Sequence, residues 1–209
     1  MEFRLMAKAD FEGVVDLMVR VFFHSTLYTW AARDEKERLK ILNAMFRFRV
    51  AGWLESSLET ELALEEGRIV ASATWHPPQN ESAKPGNARR SMDEVFAGLA
   101  PEVVERWSQF RPVIEAQEKN IIQPAWELAP IAVLPEKQGK KIGSALITRK
   151  LAALDAAGLP CYLCTQDRIN LAIYGRFGFR KIEEILIAPG GPVSYTMVRE
   201  APAPVLCKG

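Results

Sequence analysis

The spacing of apolar residues changes period several times along the chain, and each change marks an element. Phe11, Val14, Val15, Met18, Phe22 and Phe23 recur every three or four positions, the stripe of a helix buried along one side. Asp10 stands just before them and is expected to cap that helix by accepting from its orphan amides. The alternating run 2–6 ahead of it reads as extended. Helical spacing returns over 31–58, with charges from Arg33 to Arg38 and apolar residues at Leu39, Leu42, Met45, Phe46 and Val50, predicting one long helix or two short ones. The period then drops to two. Residues 61–65 alternate, Glu66-Gly67 supplies a turn, and 68–75 form a β-branched extended run, together a β-hairpin. Pro77-Pro78 ends it, and the polar stretch 79–90 reads as a loop. Residues 91–120 are helical in pattern and are broken near Pro101 and Pro112 into two or three pieces, since proline has no amide proton to offer a helix interior.

A different rhythm begins at Ala125. An apolar strand (125–133) leads into a turn rich in glycine and lysine (135–143). A helix over 144–157 follows, with Leu146, Ile147, Leu151 and Leu154 on one side and Gly158 closing it. Then come a short strand (160–165), a short helix (170–177) stopped by Gly178, a strand (179–187), a Pro-Gly-Gly-Pro turn (189–192) and a last strand (193–199). The order predicts an α/β (α+β) protein with a mixed sheet, one domain over 1–200 with a helical insert at about 79–124, and a flexible tail at 201–209.

Composition narrows the class without naming a chemistry. With 209 residues, 48% hydrophobic and 25% charged, the chain has the proportions of an ordinary globular domain. Twenty-seven basic against 26 acidic residues leave a net charge of +1, so no whole-chain field draws nucleic acid or an anionic membrane. Three cysteines (Cys161, Cys164, Cys207) are too few, and odd in number, for a disulfide framework. The first residues lack the basic-then-apolar order of a secretory signal, and no apolar stretch reaches the ~18 residues of a membrane span. These features predict a cytoplasmic protein, monomeric or homodimeric, without a nucleic-acid or membrane partner.

The turn Gln138-Gly139-Lys140-Lys141-Ile142-Gly143-Ser144 joins a strand to a helix, where backbone amides and the positive end of the helix dipole converge on one point. That suits a phosphate or pyrophosphate, and it is equally consistent with a tight turn bearing two solvated lysines. The phosphate-loop and dinucleotide spellings G-x-x-x-x-G-K-[ST] and G-x-G-x-x-G are both absent. The turn follows Ile131-Ala132-Val133-Leu134-Pro135 and is followed by Asn170-x-x-x-Tyr174-x-x-Phe177-Gly178-Phe179. This set resembles the signature of the GCN5-related N-acetyltransferase (GNAT) family: a V-x-P strand, a pyrophosphate turn Q/R-x-x-G-x-G/A, and an N-x-x-x-Y-x-x-x-G-F segment. The resemblance is strongest from about Trp126 to Arg199, and the end of the chain from Gly190 to Arg199 is similar to the puromycin-acetyltransferase-like branch. One departure stands out, Lys141 in place of the motif's middle glycine.

The resemblance implies a mostly antiparallel twisted sheet of six to seven strands with helices on both faces, and an acetyl-CoA-dependent N-acetyltransferase that needs no metal. It implies that backbone groups of Ile131, Ala132 and Val133 pair with the pantetheine arm as with an added strand. Gln138, Gly139, Lys140, Lys141, Ile142, Gly143 and Ser144 would cradle the pyrophosphate, and Asn170 would bond the pantetheine region. Tyr174 would donate to the departing thiolate, the alternative being a packing aromatic on a short helix. The acceptor amine arrives protonated and needs a base. Glu127 is the candidate: alternation places it on the face of Ala129, Ile131 and Val133, and it stands eleven residues before Gln138, where histone-type members carry a basic-acting glutamate. A rim glutamate is the alternative, and a β-bulge would shift the phase of the alternation. The expected acceptor is a small-molecule or peptide amine. A second class of function, a non-catalytic acyl-CoA-binding sensor or partner-binding module, is kept open by Lys141.

Other features fit structural roles more simply. Cys161 and Cys164 point to opposite faces of a strand, and no further Cys/His pair completes a zinc site. Trp75 and Trp126 are expected in the core or on a substrate wall, and His76 at the surface or facing the acceptor cleft. The helical piece 101–120 reads as a solvated amphipathic helix or as a lid.

Overall fold

Each strand of the sheet is placed by the hydrophobic pattern of its own segment. The computed structural model describes residues 1–78, 95–121 and 123–201. The expected 79–90 loop, the start of the insert, Cys207 and nearly all of the 201–209 tail lie outside them. Strands β1 (Glu2–Leu5), β2 (Glu59–Glu65), β3 (Arg68–His76), β4 (Trp126–Val133), β5 (Cys161–Thr165), β6 (Arg180–Leu186) and β7 (Val193–Arg199) form one sheet in the order β1-β2-β3-β4-β5-β7-β6. All pairings are antiparallel except β4 with β5. The hairpin turn between β2 and β3 holds Glu66 and Gly67 at φ 52° and 77°, the left-handed pair that a tight two-residue hairpin needs.

Helices α1 (Phe11–Phe22), α2 (Thr26–Ala31), α3 (Glu35–Leu54), α4 (Pro101–Ser108), α5 (Arg111–Lys119), α6 (Ile142–Ala157) and α7 (Ile169–Gly175) accompany the sheet, with short 3-10 turns at Lys8–Asp10 and Pro135–Lys137. The pattern over 31–58 thus resolves into one helix, α3, whose Asp34 side chain accepts from the amides of Lys36 and Glu37 at 2.9 and 3.0 Å. Asp10 sits at the start of α1 but does not cap it. Its carboxylate turns back to the Ala7 amide (2.8 Å) and to both terminal nitrogens of Arg4 (2.6 and 2.7 Å), a bidentate charge-assisted pair that outcompetes neutral amides. Pro101 and Pro112 each fall in the first turn of their helix, where the missing amide costs nothing.

Register assigns the helices to faces. Gly13 of α1 lies under Ile69, whereas Gly143 of α6 lies against Val133 and Ile131, and a register irregularity between Ala63 and Leu64 separates the two sets. So α1 and α3 cover one face and α6 the other. The core between them is anchored by Phe46, Trp75, Leu17, Met18, Leu146 and Ile147, all essentially without solvent contact. Arg199 of β7 reaches Asp155 of α6 through two bonds of 2.6 and 2.8 Å, fixing the helix to the far half of the sheet. Among the described residues, no helix is long and apolar enough to cross a membrane.

Candidate active site

Strands β4 and β5 are paired only at Trp126–Cys161 and Glu127–Tyr162; beyond that they diverge, and the β5-facing edge of β4 loses its partner. A cavity of about 430 Å³ opens in this splay. Its floor is β4 from Glu127 to Ile131 and β5 at Tyr162, Cys164 and Thr165, with Asn170 and Tyr174 of α7 beside them. Its opposite wall comes from α1–α3 through Phe22, Tyr28, Phe46 and Arg49, and from the insert through Trp107, Phe110, Gln117 and Glu118.

β4 carries an irregularity at the cavity. Between Ala73 and Trp75, β3 advances two residues while β4 advances three, from Ile131 to Leu128, leaving an extra residue at Ala129–Pro130. The alternation expected for Glu127 is therefore broken. Glu127 pairs with His76, and Ile131 and Val133 pair with Ala73 and Ala71, so Glu127 lies on the opposite face from Ile131 and Val133. The bulge turns the carboxylate toward α3 and the insert. Its side chain remains 29% exposed because it looks into the cavity. The surrounding protein nevertheless strips most of its hydration, and this burial raises its pKa above the usual carboxylate value, partly offset by the positive charge of Arg49.

His76 stands behind this glutamate, outside the cavity lining. Its Nε2 donates to the Ala129 carbonyl of the bulge at 2.6 Å, and its Nδ1 lies 4.0 Å from Glu127 Oε2. Burial, reinforced by Arg49 and opposed by the Ala129 bond, lowers the imidazole pKa to about 4, so the ring is neutral at pH 7. Neutral Nδ1 is then an acceptor turned toward the carboxyl. Glu118 also has a raised pKa, first from burial and then from the charges of Glu127 and Glu115.

Tyr174 sits at the other side of the cavity, 9% exposed and stacked edge-on against Phe179 at 6.1 Å. Burial and the Asp167 charge push its phenol up to about 12, keeping the proton on. Asn170 donates to Thr165 Oγ1 at 2.9 Å, which holds its amide in place at the cavity edge, and Asp167 ties α2 to this loop by accepting from Thr26.

The glycine–lysine turn lies outside the cavity, at the exit of β4. Gly139 (φ 75°) and Lys141 (φ 61°) both adopt left-handed backbone, so Lys141 takes up the conformation for which a glycine is the usual choice. The first intrahelical bond of α6 is Ala145 to Lys141, which leaves the amides of Ile142, Gly143 and Ser144 pointing outward from the helix end. A Cβ on Gly143 would come within 3.2 Å of Val133, so glycine there lets the helix end approach β4. Gln138 caps the strand by donating to the Val133 carbonyl at 3.2 Å. Outward amides, a helix dipole and a strand edge without a partner fit the pyrophosphate and pantetheine of coenzyme A.

Residues 23–179 match the model of the acetyltransferase (GNAT) family. The chain belongs to the GNAT family. Solved structures agree in fold over nearly their whole length. A histone acetyltransferase-related protein from Corynebacterium glutamicum has a TM-score of 0.69 at 20% identity, covering 98% of each chain. The polyamine N-acetyltransferase of Drosophila melanogaster has a TM-score of 0.64 at 15% identity, covering 95% of this chain and 99% of its own. A Thermoplasma acidophilum N-acetyltransferase in complex with coenzyme A has 0.59 at 13%, covering 95% and 98%. The seven-stranded mixed sheet flanked by helices on both faces is thus the GNAT fold, as the motifs implied.

Within this GNAT site the remaining side chains take up places the sequence had left open. Trp75 is fully buried in the core, and Trp126 lies on the same face of the sheet, away from Glu127, under the Lys150 ammonium 3.5 Å from its ring centre, so neither walls the cavity. Trp107 does. Cys164 lines the cavity and Cys161 is buried on the opposite face, both thiols held protonated by burial at about 12. The insert's helix is a cavity wall, with Val103, Val113 and Gln117 buried. Arg49 and Gln117 had no local signal: one is a charge amid a charged helix, the other a glutamine in a polar one, and only tertiary packing turns them inward. Among the described residues no cluster of His, Cys, Asp or Glu is arranged to hold a metal.

Proposed function

We propose that the protein is an acetyl-CoA-dependent N-acetyltransferase that acetylates a small primary amine by direct attack in a ternary complex. The observation that carries this reading is that Glu127 and Tyr174, with pKa values both raised, line one cavity opening at the β4/β5 splay beside the α6 amides. Bound acetyl-CoA would supply a thioester carbonyl carbon as electrophile and a thiolate as leaving group.

The backbone edge of β4 at Ile131, Ala132 and Val133 holds the pantetheine arm, with Asn170 bonding it from α7. The turn from Gln138 to Ser144 binds the pyrophosphate, chiefly through the amides of Ile142, Gly143 and Ser144, with Lys140 and Lys141 as flanking charges. Glu127 removes a proton from the incoming ammonium, directly or through one water, which a carboxylate of raised pKa does more readily near neutrality. The freed nitrogen then forms the C–N bond as the C–S bond breaks. Tyr174 donates its proton to the departing sulfur, stabilising charge that develops only as the acyl group leaves. An amine acceptor is supported by the solved relatives, one of which catalyses formation of N-acetylagmatine.

Two measurements test the reading. At acetyl-CoA about 100-fold above Kd, binding adds about 2.7 kcal/mol and should raise Tm by roughly 5–10 °C, with NADH giving no shift. Acetylated product should then accumulate with members of an amine panel. A shift with coenzyme A but no product from any amine would leave a binding module in place of an enzyme.

A further inference from the structure

Gln117 is a buried glutamine in the insert, 1% exposed, yet it lines the acceptor cavity. Its orientation is fixed from behind. Gln166 Nε2 donates to Ser194 Oγ at 2.9 Å, and Ser194 spends its one hydroxyl proton on Gln117 Oε1 at 3.0 Å. Ser194 is itself fully buried near the start of β7. The amide oxygen of Gln117 is therefore committed to the sheet. Its Nε2 carries two hydrogens and has no partner among the described residues. A buried donor without a partner is destabilising on its own, and a site keeps one when a ligand supplies the acceptor.

The rest of the wall is consistent with this. Tyr28, Phe46, Trp107 and Phe110 give an apolar, aromatic enclosure, with Tyr28 and Trp107 in contact at 5.2 Å. Arg49 has no hydrogen bond or ion pair among the described residues and adds a positive charge to the same wall. The carboxylate of Glu127, on the β4 floor facing this wall, suits the ammonium end of an acceptor, with Glu118 beside Gln117 adding a second acidic group to the lining.

We propose that Gln117 is a specificity-determining residue: its Nε2 donates to a carbonyl oxygen on the amine substrate, selecting apolar amines that carry such an oxygen over those with a bare hydrocarbon body. Ser194 is the positioning residue that turns the donor toward the cavity. The proposal rests on the acetyltransferase reading above and adds to it the chemistry of the non-reacting end of the acceptor. A free carboxylate and a neutral carboxamide both present that oxygen; only the carboxylate also engages Arg49.

The test compares 2-phenylethylamine, phenylalaninamide and phenylalanine as acceptors at saturating acetyl-CoA. The wild type should favour at least one carbonyl-bearing amine over 2-phenylethylamine by about tenfold or more in kcat/KM. A preference for phenylalanine points to a carboxylate, and a preference for phenylalaninamide to a neutral carbonyl. Gln117→Met keeps the volume and should collapse that ratio toward one, through a greater loss on the carbonyl-bearing amine than on 2-phenylethylamine. Ser194→Ala, which leaves Gln117 in place, should shrink the same ratio, a selectivity change that a general loss of folding does not produce. A wild-type ratio near one, or equal losses on all three amines in both variants, overturns the proposal. An absent acetyl-CoA thermal shift together with no transfer to any amine defeats the acetyltransferase reading itself.

Discussion

The two walls of the cavity present different groups. The wall of β4, β5, α6 and α7 presents backbone: a strand edge released where β4 and β5 diverge, three outward amides at the start of α6, and a left-handed turn at Gly139 and Lys141. The wall of α3, α4 and α5 presents side chains: Arg49, Trp107, Gln117 and Glu118. Backbone recognition demands particular conformations, and those leave a fixed spelling of glycines and a capping residue. Side-chain recognition demands only that a residue face inward. The first wall is therefore legible in the sequence and the second is not.

Removing the proposed proton donor should give the largest effect on this contrast. Tyr174→Phe is expected to lower kcat by ~10²-fold or more while leaving acetyl-CoA affinity nearly unchanged, as a steady-state assay paired with a thermal-shift titration would show. Equal weakening of both would make Tyr174 a packing residue of the cofactor wall. The next effect links the walls, since Glu127 belongs to one and its neighbour Arg49 to the other. As the proposed base, Glu127 must be deprotonated, so kcat/KM should fall as pH drops through its raised pKa. Glu127→Gln should lower the rate and abolish this limb. Arg49→Gln removes the charge that holds the pKa down and should move the limb to higher pH. A limb unmoved in both variants would assign the proton transfer to another group.

A smaller effect concerns the bulge behind Glu127. The folded His76 pKa of about 4 lies below its ordinary 6.5, so the unfolded state binds the proton more readily. Stability from this group is present above about pH 6.5 and is lost as pH falls toward 4. Tm measured across this window should decline less in His76→Gln than in the wild type. The smallest effect belongs to the turn. Lys141→Gly relieves a left-handed lysine and should change stability by no more than about 1 kcal/mol, a Tm gain of roughly 2–4 °C. A clear loss of Tm would mean that the lysine side chain contributes more than its backbone costs.

Most of the fold was legible because its elements have strong local causes. The hairpin around Glu66-Gly67, the closure of α6 by Gly158 in left-handed backbone and the helix starts at Pro101 and Pro112 each follow from a residue's own conformational limits. The errors share one origin, competition from residues distant in the chain or in the neighbouring strand. Asp10 is drawn from its helix by Arg4, and Glu127 changes face because β4 gains a residue relative to β3 at Ala129–Pro130.

By itself the sequence determined the order and kind of elements, the family signature from Ile131 to Phe179 and the residue types able to move a proton, since all of these rest on local conformation and side-chain chemistry. The tertiary structure alone decided the face on which Glu127 lies, the neutral His76 behind it, the inward turn of Arg49 and the orphan donor of Gln117. Each of these depends on burial and on partners brought together across the sheet, such as Gln117 and Ser194 or His76 and Ala129, and no local pattern encodes them.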